Sequence, residues 1–431
     1  MIVAAQFGQR VEDTRCRHFR LGLRPASSVR LLASPLVMRR FATLRGSAMH
    51  AIDYTMRRVC GGWPAIWQSG RVLEAILLVG GRGTRLRPLT ISAPKPMLPV
   101  AGYPVTAHQV ARAAEAGVTR VVLGTSYQAD VFSEYFGDGS DFGVELRCVV
   151  EQVPLGTGGA IRNVISELKS APDDPVLVFN CDVLTGLDIA GLVQAWRDAD
   201  AGVAIYLTEV VDPRAFGLVP TDADGLVTAF LEKPQTPAEI VTDQINAGCY
   251  VFRRSLIDTI AAGRPVSVER ETFPGLLEAG ERVIGVVDPG YWLDLGTPLA
   301  FVQGSRDLVT GKAPSPLVTE AGPRLVLAGA QVAADARIDA GSTVGRGAKV
   351  GERAEVSGSV IFDEAVIESG AVVIDSVIGR GARVGSGVRL DGVVVGDGAQ
   401  IAAGNELMAG ARVFPNAVLG ETAVRFSSDQ S

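Results

Sequence analysis

The chain has 431 residues, 47% of them apolar and 20% charged, with a formal net charge of −6. That length exceeds one ordinary hydrophobic core and predicts two or three domains of a soluble globular protein, while the acidic balance excludes the clustered Lys/Arg excess of a nucleic-acid-binding surface. Five scattered cysteines without Cys-x-x-Cys spacing support neither a zinc site nor a disulfide frame and fit a reducing cytoplasm, and no run of about 18 apolar residues predicts a membrane span.

Residues 1–72 carry 12 Arg against 3 acidic residues and show no helical or strand periodicity. Early acids and the lack of an apolar h-region argue against a targeting peptide. The segment reads as a disordered extension or an over-long start, with the folded protein beginning near Val72.

The rest of the chain is organised around the stretch Leu73 to Pro99. An apolar run, Ala75–Val79, suits a buried parallel strand, and Gly80-Gly81-Arg82-Gly83 then lets the backbone turn sharply and offer bare N–H groups to an anion. Arg82, Arg85, Arg87 and Lys95 crowd the same loop without a carboxylate among them, which suits a polyphosphate ligand. The loop has neither Gly-x-Gly-x-x-Gly spacing nor a following Gly-Lys-Ser/Thr, so the common dinucleotide and triphosphatase fingerprints do not apply.

From Glu74 to about Leu308 strand and helix patterns alternate, predicting an α/β domain with a mostly parallel sheet covered on both faces. Expected strands are Ala75–Val79, Arg120–Gly124, Glu145–Val150 and Val176–Phe179; expected helices are Val105–Ala116, Ala129–Tyr135, Gly159–Leu168 and Ile189–Asp198. Ligands of such sheets sit beyond the carboxyl ends of the strands. The first and fourth strands would therefore bring the glycine loop and Asn180-Cys181-Asp182 to one crevice. Asp182, ending a buried strand, needs a cation or hydrogen bonds to meet its charge, and a helix cap or a magnesium ion would each do so.

Between these lies a second glycine-rich turn, Glu151-Gln-Val-Pro-Leu-Gly156-Thr-Gly-Gly-Ala160, opening a helix. Farther on come Asp212-Pro-Arg-Ala-Phe-Gly217, Phe230-Leu-Glu232-Lys233-Pro, Asn246-Ala-Gly-Cys-Tyr250 and Tyr291-Trp-Leu-Asp294-Leu-Gly-Thr-Pro298. Each alone reads as an ordinary turn or strand end.

A proline-rich linker, residues 313–324, separates the α/β segment (73–312) from a glycine-rich region ending near 420, with 421–431 as a tail. Aliphatic residues recur every six positions at Val332, Ile338, Val344, Val350 and Val356. The spacing then becomes five, six, six through Ile361, Ile367, Val373, Ile378, Val384, Leu390, Val395 and Ile401. A circuit of about 17 residues with three short strands describes a left-handed parallel β-helix of hexapeptide repeats. Acyltransferases built on such prisms use a His base, but the chain's histidines are His18, His50 and His108, none of them in the prism. A lid over the α/β domain and a surface for homo-oligomerisation suit it better.

The motif Gly-Gly-x-Gly-Thr-Arg-Leu-x-Pro-Leu-Thr followed by Pro-Lys-Pro, with the later segments in matching order, resembles the sugar-1-phosphate nucleotidyltransferases, also called nucleoside-diphosphate-sugar pyrophosphorylases. Over residues 73 to about 426 it is most similar to their two-domain branch with a hexapeptide tail, which joins GMP from GTP to mannose 1-phosphate. The resemblance implies a Rossmann-like nucleotidyltransferase sheet with Gly80, Gly81, Gly83, Thr84 and Gly156 bordering the nucleotide. It implies that Arg85 holds the β and γ phosphates, Lys95 the α-phosphate and Lys233 the sugar phosphate. Gly217, Glu232 and Asn246 would bind the sugar, and Asp182 with Asp294 would hold Mg²⁺. Cys181 departs from the small residue usual before this aspartate. Glu151 could accept both N1–H and N2–H₂ of guanine, a pair that uracil and thymine lack. The phosphate loop sees neither base nor sugar, so UTP or dTTP with glucose 1-phosphate stays open, as does a non-catalytic sensor subunit, although the basic and acidic residues a sensor would lose are all present.

Overall fold

A computed structural model describes residues 73–425, apart from 82, 126, 127 and 409. The expected N-terminal extension and Arg82 lie outside the described residues.

The catalytic segment is built on a nine-stranded sheet. Strands β1 (Glu74–Leu78), β2 (Arg120–Thr125), β3 (Glu145–Val150) and β4 (Pro175–Asn180) run parallel in the order β3-β2-β1-β4. The apolar runs of β1, β2 and β4 are buried on both faces, as parallel strands covered by helices require, whereas the edge strand β3 fully buries only Leu146. Helices α1 (Val105–Glu115), α2 (Asp130–Phe136) and α3 (Gly156–Asn163) make the crossovers. Helix α3 is displaced from the expected Gly159–Leu168. It starts on the glycines themselves, and residues Ile165–Glu167 form a separate 3₁₀ turn.

At the N-terminal edge of the sheet the charged first residue of β1, Glu74, is fully buried and accepts the Lys169 and Ser170 N–H groups. Arg120 joins it to Glu145 and Glu167. This edge is closed by a charge network, and the ligand-binding end is left to the opposite edge.

Beyond β4 a short strand β5 (Val183–Thr185), helix α4 (Ile189–Asp198) and β6 (Val203–Glu209) follow. The sheet then departs from the expected parallel pattern. The ten-residue strand β9 (Gln244–Arg253) lies antiparallel between β4 and β6, and it also meets β7 (Gly217–Leu218), which pairs with β8 (Leu231–Glu232). Strand β10 (Val283–Val287) returns parallel to β6. The parallel half thus carries the glycine loops, and the antiparallel half carries the later motifs.

Helix α5 (Pro298–Val309) leads into the proline-rich segment, which is packed: Ala313 is buried and Ser315 Oγ lies 2.7 Å from His108 Nδ1. The repeats then wind three parallel ladders, two of six strands and one of five. Partners are 18 residues apart in the first circuit, as Arg324 with Ser342. They are 17 apart in the next three, as Thr343, Val360, Val377 and Val394, and 18 apart again from Val394 to Arg412. The inward aliphatics from Ile338 to Ile401 fill one core. Val332 does not join them; in the first circuit it has neighbours on one side only and stays exposed.

One prism face turns a second apolar row outward. Val360, Phe362, Val377 and Val394 pack with Leu86, Leu89, Leu98, Val105, Phe301 and Val302 in a core shared with the catalytic segment. Ser305 Oγ, buried between the Ala101 N–H and Thr343 Oγ1, seals it at 3.1 Å on each side. Polar clamps border this core: Arg306 with Asp375, Arg346 with the Gly102 carbonyl and the Tyr103 ring, and Arg412 with the carbonyls of Arg85 and Arg87.

Candidate active site

The glycine loop leaves β1 and folds into a 3₁₀ turn, Thr84–Leu86, held by Leu86 N–H to Gly83 O and Arg87 N–H to Thr84 O. Gly83 opens it in the left-handed region (φ 54°), where a Cβ would lie 2.9 Å from Lys95 Cβ and Thr90 Cγ2, so only glycine lets the loop close over Lys95. The Thr90 hydroxyl donates to Gly83 O and ties the loop to the following helical turn. Gly80, Gly81, Thr84 and Arg85 are exposed, as a surface that receives an anion must be.

Lys95 is only 7% exposed, and its Nζ lies 3.2 Å from Asp182 Oδ2 and 3.5 Å from Asp294 Oδ1. The two aspartates are more than a hundred residues apart in sequence. They converge because β5, which follows Asp182, pairs antiparallel with β11 (Trp292–Asp294), and Leu295 N–H donates to Asp182 O. The exposed guanidinium of Arg85 stands 3.7 Å from Asp294 Oδ2. Two carboxylates and two cations, one buried and one exposed, thus share a locus beside the glycine loop.

The second glycine-rich turn is fixed from two sides. Glu151, at the end of β3, is 9% exposed and its Oε2 accepts the Leu155 N–H. Burial pushes its carboxyl above the usual range, and that hydrogen bond opposes the shift. One oxygen of the group assigned to guanine is therefore already engaged in shaping the turn. Gly156 (φ 69°) begins α3 against the Val266 carbonyl, and Thr157 donates to Glu269 Oε2, which also accepts from Ser267. Glu269 belongs to a π-helical turn, Val268–Thr272, an irregularity frequent at functional sites. Sequence reasoning quoted Thr157 within the second glycine-rich turn without giving it a role of its own and missed Glu269; the polar run Ser267-Val-Glu-Arg-Glu-Thr272 was the available signal.

The antiparallel half gathers the remaining motifs. Gly217 pairs with Glu232 across β7 and β8, and a Cβ on Gly217 would fall 2.7 Å from Glu232 Oε2. Lys233 has a left-handed backbone (φ 54°), its N–H donates to Phe216 O, and its Nζ lies 3.4 Å from Glu232 Oε1. Asn246 sits where the β9–β6 register shifts, and both ends of its amide are engaged there, Nδ2 with Tyr250 OH and Oδ1 with Gly248 N–H. Trp292 joins this group to the aspartates. Its ring meets Phe216 edge-on at 5.4 Å, its Nε1 donates to Ala247 O, and Asp294 follows two residues later. Sequence reasoning quoted Trp292 without giving it a role.

Residues 74–311 match the family described as Nucleotidyl transferase, and residues 321–426 match the GMPPB C-terminal domain. The chain belongs to the nucleotidyl transferase family. It is 54% identical over 263 residues to the mannose-1-phosphate guanylyltransferase of Mycobacterium tuberculosis (strain ATCC 25618 / H37Rv), a match covering 61% of this chain and 72% of that protein. It is 37% identical over 254 residues to the probable mannose-1-phosphate guanylyltransferase 1 of Oryza sativa subsp. japonica, covering 58% and 69%. The mannose-1-phosphate guanylyltransferase catalytic subunit beta of Drosophila melanogaster is 37% identical over 247 residues, covering 57% and 64%. No helix among the described residues is long and apolar enough to cross a membrane.

Proposed function

We propose that this nucleotidyltransferase moves GMP from GTP to mannose 1-phosphate, giving GDP-mannose and pyrophosphate. The single observation that carries the chemistry is the buried Lys95 held between Asp182 and Asp294 at the mouth of the glycine loop. The similarity to the mycobacterial guanylyltransferase supports the choice of base and sugar.

A phosphate oxygen of mannose 1-phosphate attacks the α-phosphorus of GTP; the new O–P bond forms as the bond to the β-phosphate oxygen breaks and pyrophosphate departs. No covalent enzyme intermediate is needed, so catalysis is positioning and charge neutralisation. The glycine-loop N–H groups and Arg85 receive the β and γ phosphates. Lys95 neutralises charge at the α-phosphate, and its burial keeps the ammonium within the reach of one site. Lys233 holds the attacking phosphate against repulsion from the triphosphate, with Gly217, Glu232 and the Asn246 bulge shaping the sugar side.

The donor set suits Mg²⁺, which takes one or two carboxylates and completes its shell with water and phosphate oxygens. Asp182 and Asp294 face one cation already, that of Lys95, and would hold the metal in its neighbourhood. When bound, it would supply further neutralisation of the phosphates and of the departing pyrophosphate.

The test is a pyrophosphate-release assay on the purified protein with four nucleoside triphosphates against mannose, glucose and galactose 1-phosphates, with and without chelator. GTP with mannose 1-phosphate is expected to be the preferred pair and to need a divalent ion. Preference for UTP or dTTP with glucose 1-phosphate would overturn the substrate assignment. No release with any pair would overturn the catalytic reading.

A further inference from the structure

The 3₁₀ turn that presents Arg85 has few supports of its own. Among the described residues two backbone hydrogen bonds close it, its N-terminal residue supplies no side-chain cap, and Thr84, Arg85 and Arg87 are exposed. It is anchored at its start by the Thr90 hydroxyl on Gly83 O, in its middle by Leu86, which is fully buried in the core shared with the prism, and beyond that by a residue more than three hundred positions away. Arg412 lies in the last circuit of the prism, in register with Val394 on the ladder that packs against the catalytic segment. Three earlier positions of that column, Val360, Val377 and Val394, are aliphatic and buried, whereas Arg412 extends past the apolar contact. Its Nη1 donates to Arg85 O at 2.9 Å and also to Arg87 O.

From this geometry we infer that Arg412 is a positioning residue for nucleotide binding, supplied to the active-site loop by the β-helix. The inference rests on reading Arg85 as a triphosphate ligand. A cation bonded to the carbonyls of residues 85 and 87 restricts the Arg85–Leu86 and Arg87–Pro88 peptide units and so limits where the Arg85 side chain can point. The carbonyl side of the loop is held by the prism while its side-chain edge faces Asp294 and the phosphate site. Among the described residues neither Arg412 nor Arg85 bonds to Gly217, Glu232 or Asn246, so the effect falls on the nucleotide more than on the sugar phosphate.

Arg412→Met keeps much of the length and removes the donors, whereas Arg412→Lys keeps a cation with N–H groups. Arg412→Met is expected to raise KM for GTP about tenfold, the equivalent of roughly one hydrogen bond to a charged group. KM for mannose 1-phosphate should change less than about twofold, and Arg412→Lys should recover most of the loss. Arg389→Met, which alters an outward arginine of another ladder that pairs with Asp391, is the control and should leave both constants unchanged. Amide hydrogen exchange of residues 84–87, measured without substrate, should quicken in Arg412→Met. Unchanged exchange, an unchanged KM for GTP, or an equal rise of both KM values would overturn the inference. The exchange measurement reads the clamp even if the wild-type protein releases no pyrophosphate, which would instead sink the proposed function.

Discussion

Among single residues, Lys95 couples burial to chemistry most directly. A buried ammonium is tolerated because two carboxylates compensate it, and the same three groups would form the charged floor of the proposed phosphate site. Lys95→Ala removes one preorganised charge-stabilising donor and should lower kcat by about 10²–10³ in the pyrophosphate-release assay. Near-normal turnover would contradict its role. Gly217 makes a separate claim on the sugar side. A methyl group there must push the Glu232 carboxylate away from its place, so Gly217→Ala should raise KM for mannose 1-phosphate about tenfold, as for one lost hydrogen bond to a charged group, and leave KM for GTP unchanged. Asp182 and the Lys95 loop were legible in the sequence because a carboxylate ending a buried strand and cations crowding a bare turn need a partner, whereas Gly217 and Asp294 were legible only through the resemblance. Thr157, Glu269 and Trp292 were not, because a hydroxyl, an acid and an indole have bland uses in many places and only the fold shows what they touch.

At the scale of elements, the strands of the parallel half were readable within a residue or two, since each is an apolar run bounded by turn residues. The direction of β9 was not readable: Gln-Ile-Asn-Ala-Gly-Cys-Tyr-Val-Phe-Arg is as apolar as its neighbours, and only pairing with β4 and β6 makes it antiparallel. Helix α1 contains a second feature hidden from sequence. His108 is buried, its Nε2 bonded to Val100 O and its Nδ1 to Ser315 Oγ, so the ring joins the helix to the linker. Both bonds suit a neutral imidazole that donates from Nε2 and accepts the Ser315 hydroxyl at Nδ1. Burial pushes the His108 pKa down to about 4, the Val100 carbonyl acting weakly against the shift. The folded chain therefore binds this proton less readily than the unfolded chain, whose histidine titrates near 6.5. Stability from this group is complete above about pH 6.5 and is lost as pH falls toward 4, by roughly 3 kcal/mol at most. Urea unfolding of wild type and His108→Leu across pH 7 to 4 checks it, since the difference between the two proteins should shrink as the pH falls through that window. A difference independent of pH would refute it.

For the whole molecule, the question is whether the β-helix is an appendage or part of the enzyme. Its inward repeat was plain in the sequence because a five- or six-residue period has few other causes. The outward row was present as doubled aliphatics, Val360-Ile361, Val377-Ile378 and Val394-Val395, in which the second residue fills the prism and the first is left for a partner. That partner is the catalytic segment, contacted through Leu86, Leu89, Phe301 and Val302 and bordered by the Arg306, Arg346 and Arg412 clamps. A shared apolar core of this kind should make the two parts unfold together, because opening it exposes valines and leucines from both. Val377→Asp places a carboxylate in the middle of the row, at a fully buried position without a cation in the shared apolar cluster, and the cost of burying it is several kcal/mol unless the contact opens. Calorimetry is expected to show one cooperative transition for the wild-type protein and two for Val377→Asp, with the prism transition persisting because its inward column is untouched. Since Leu86 sits in the same core, the variant should also raise KM for GTP. Two separate transitions already in the wild-type protein, or a Val377→Asp variant whose transition and KM are both unchanged, would refute the coupling.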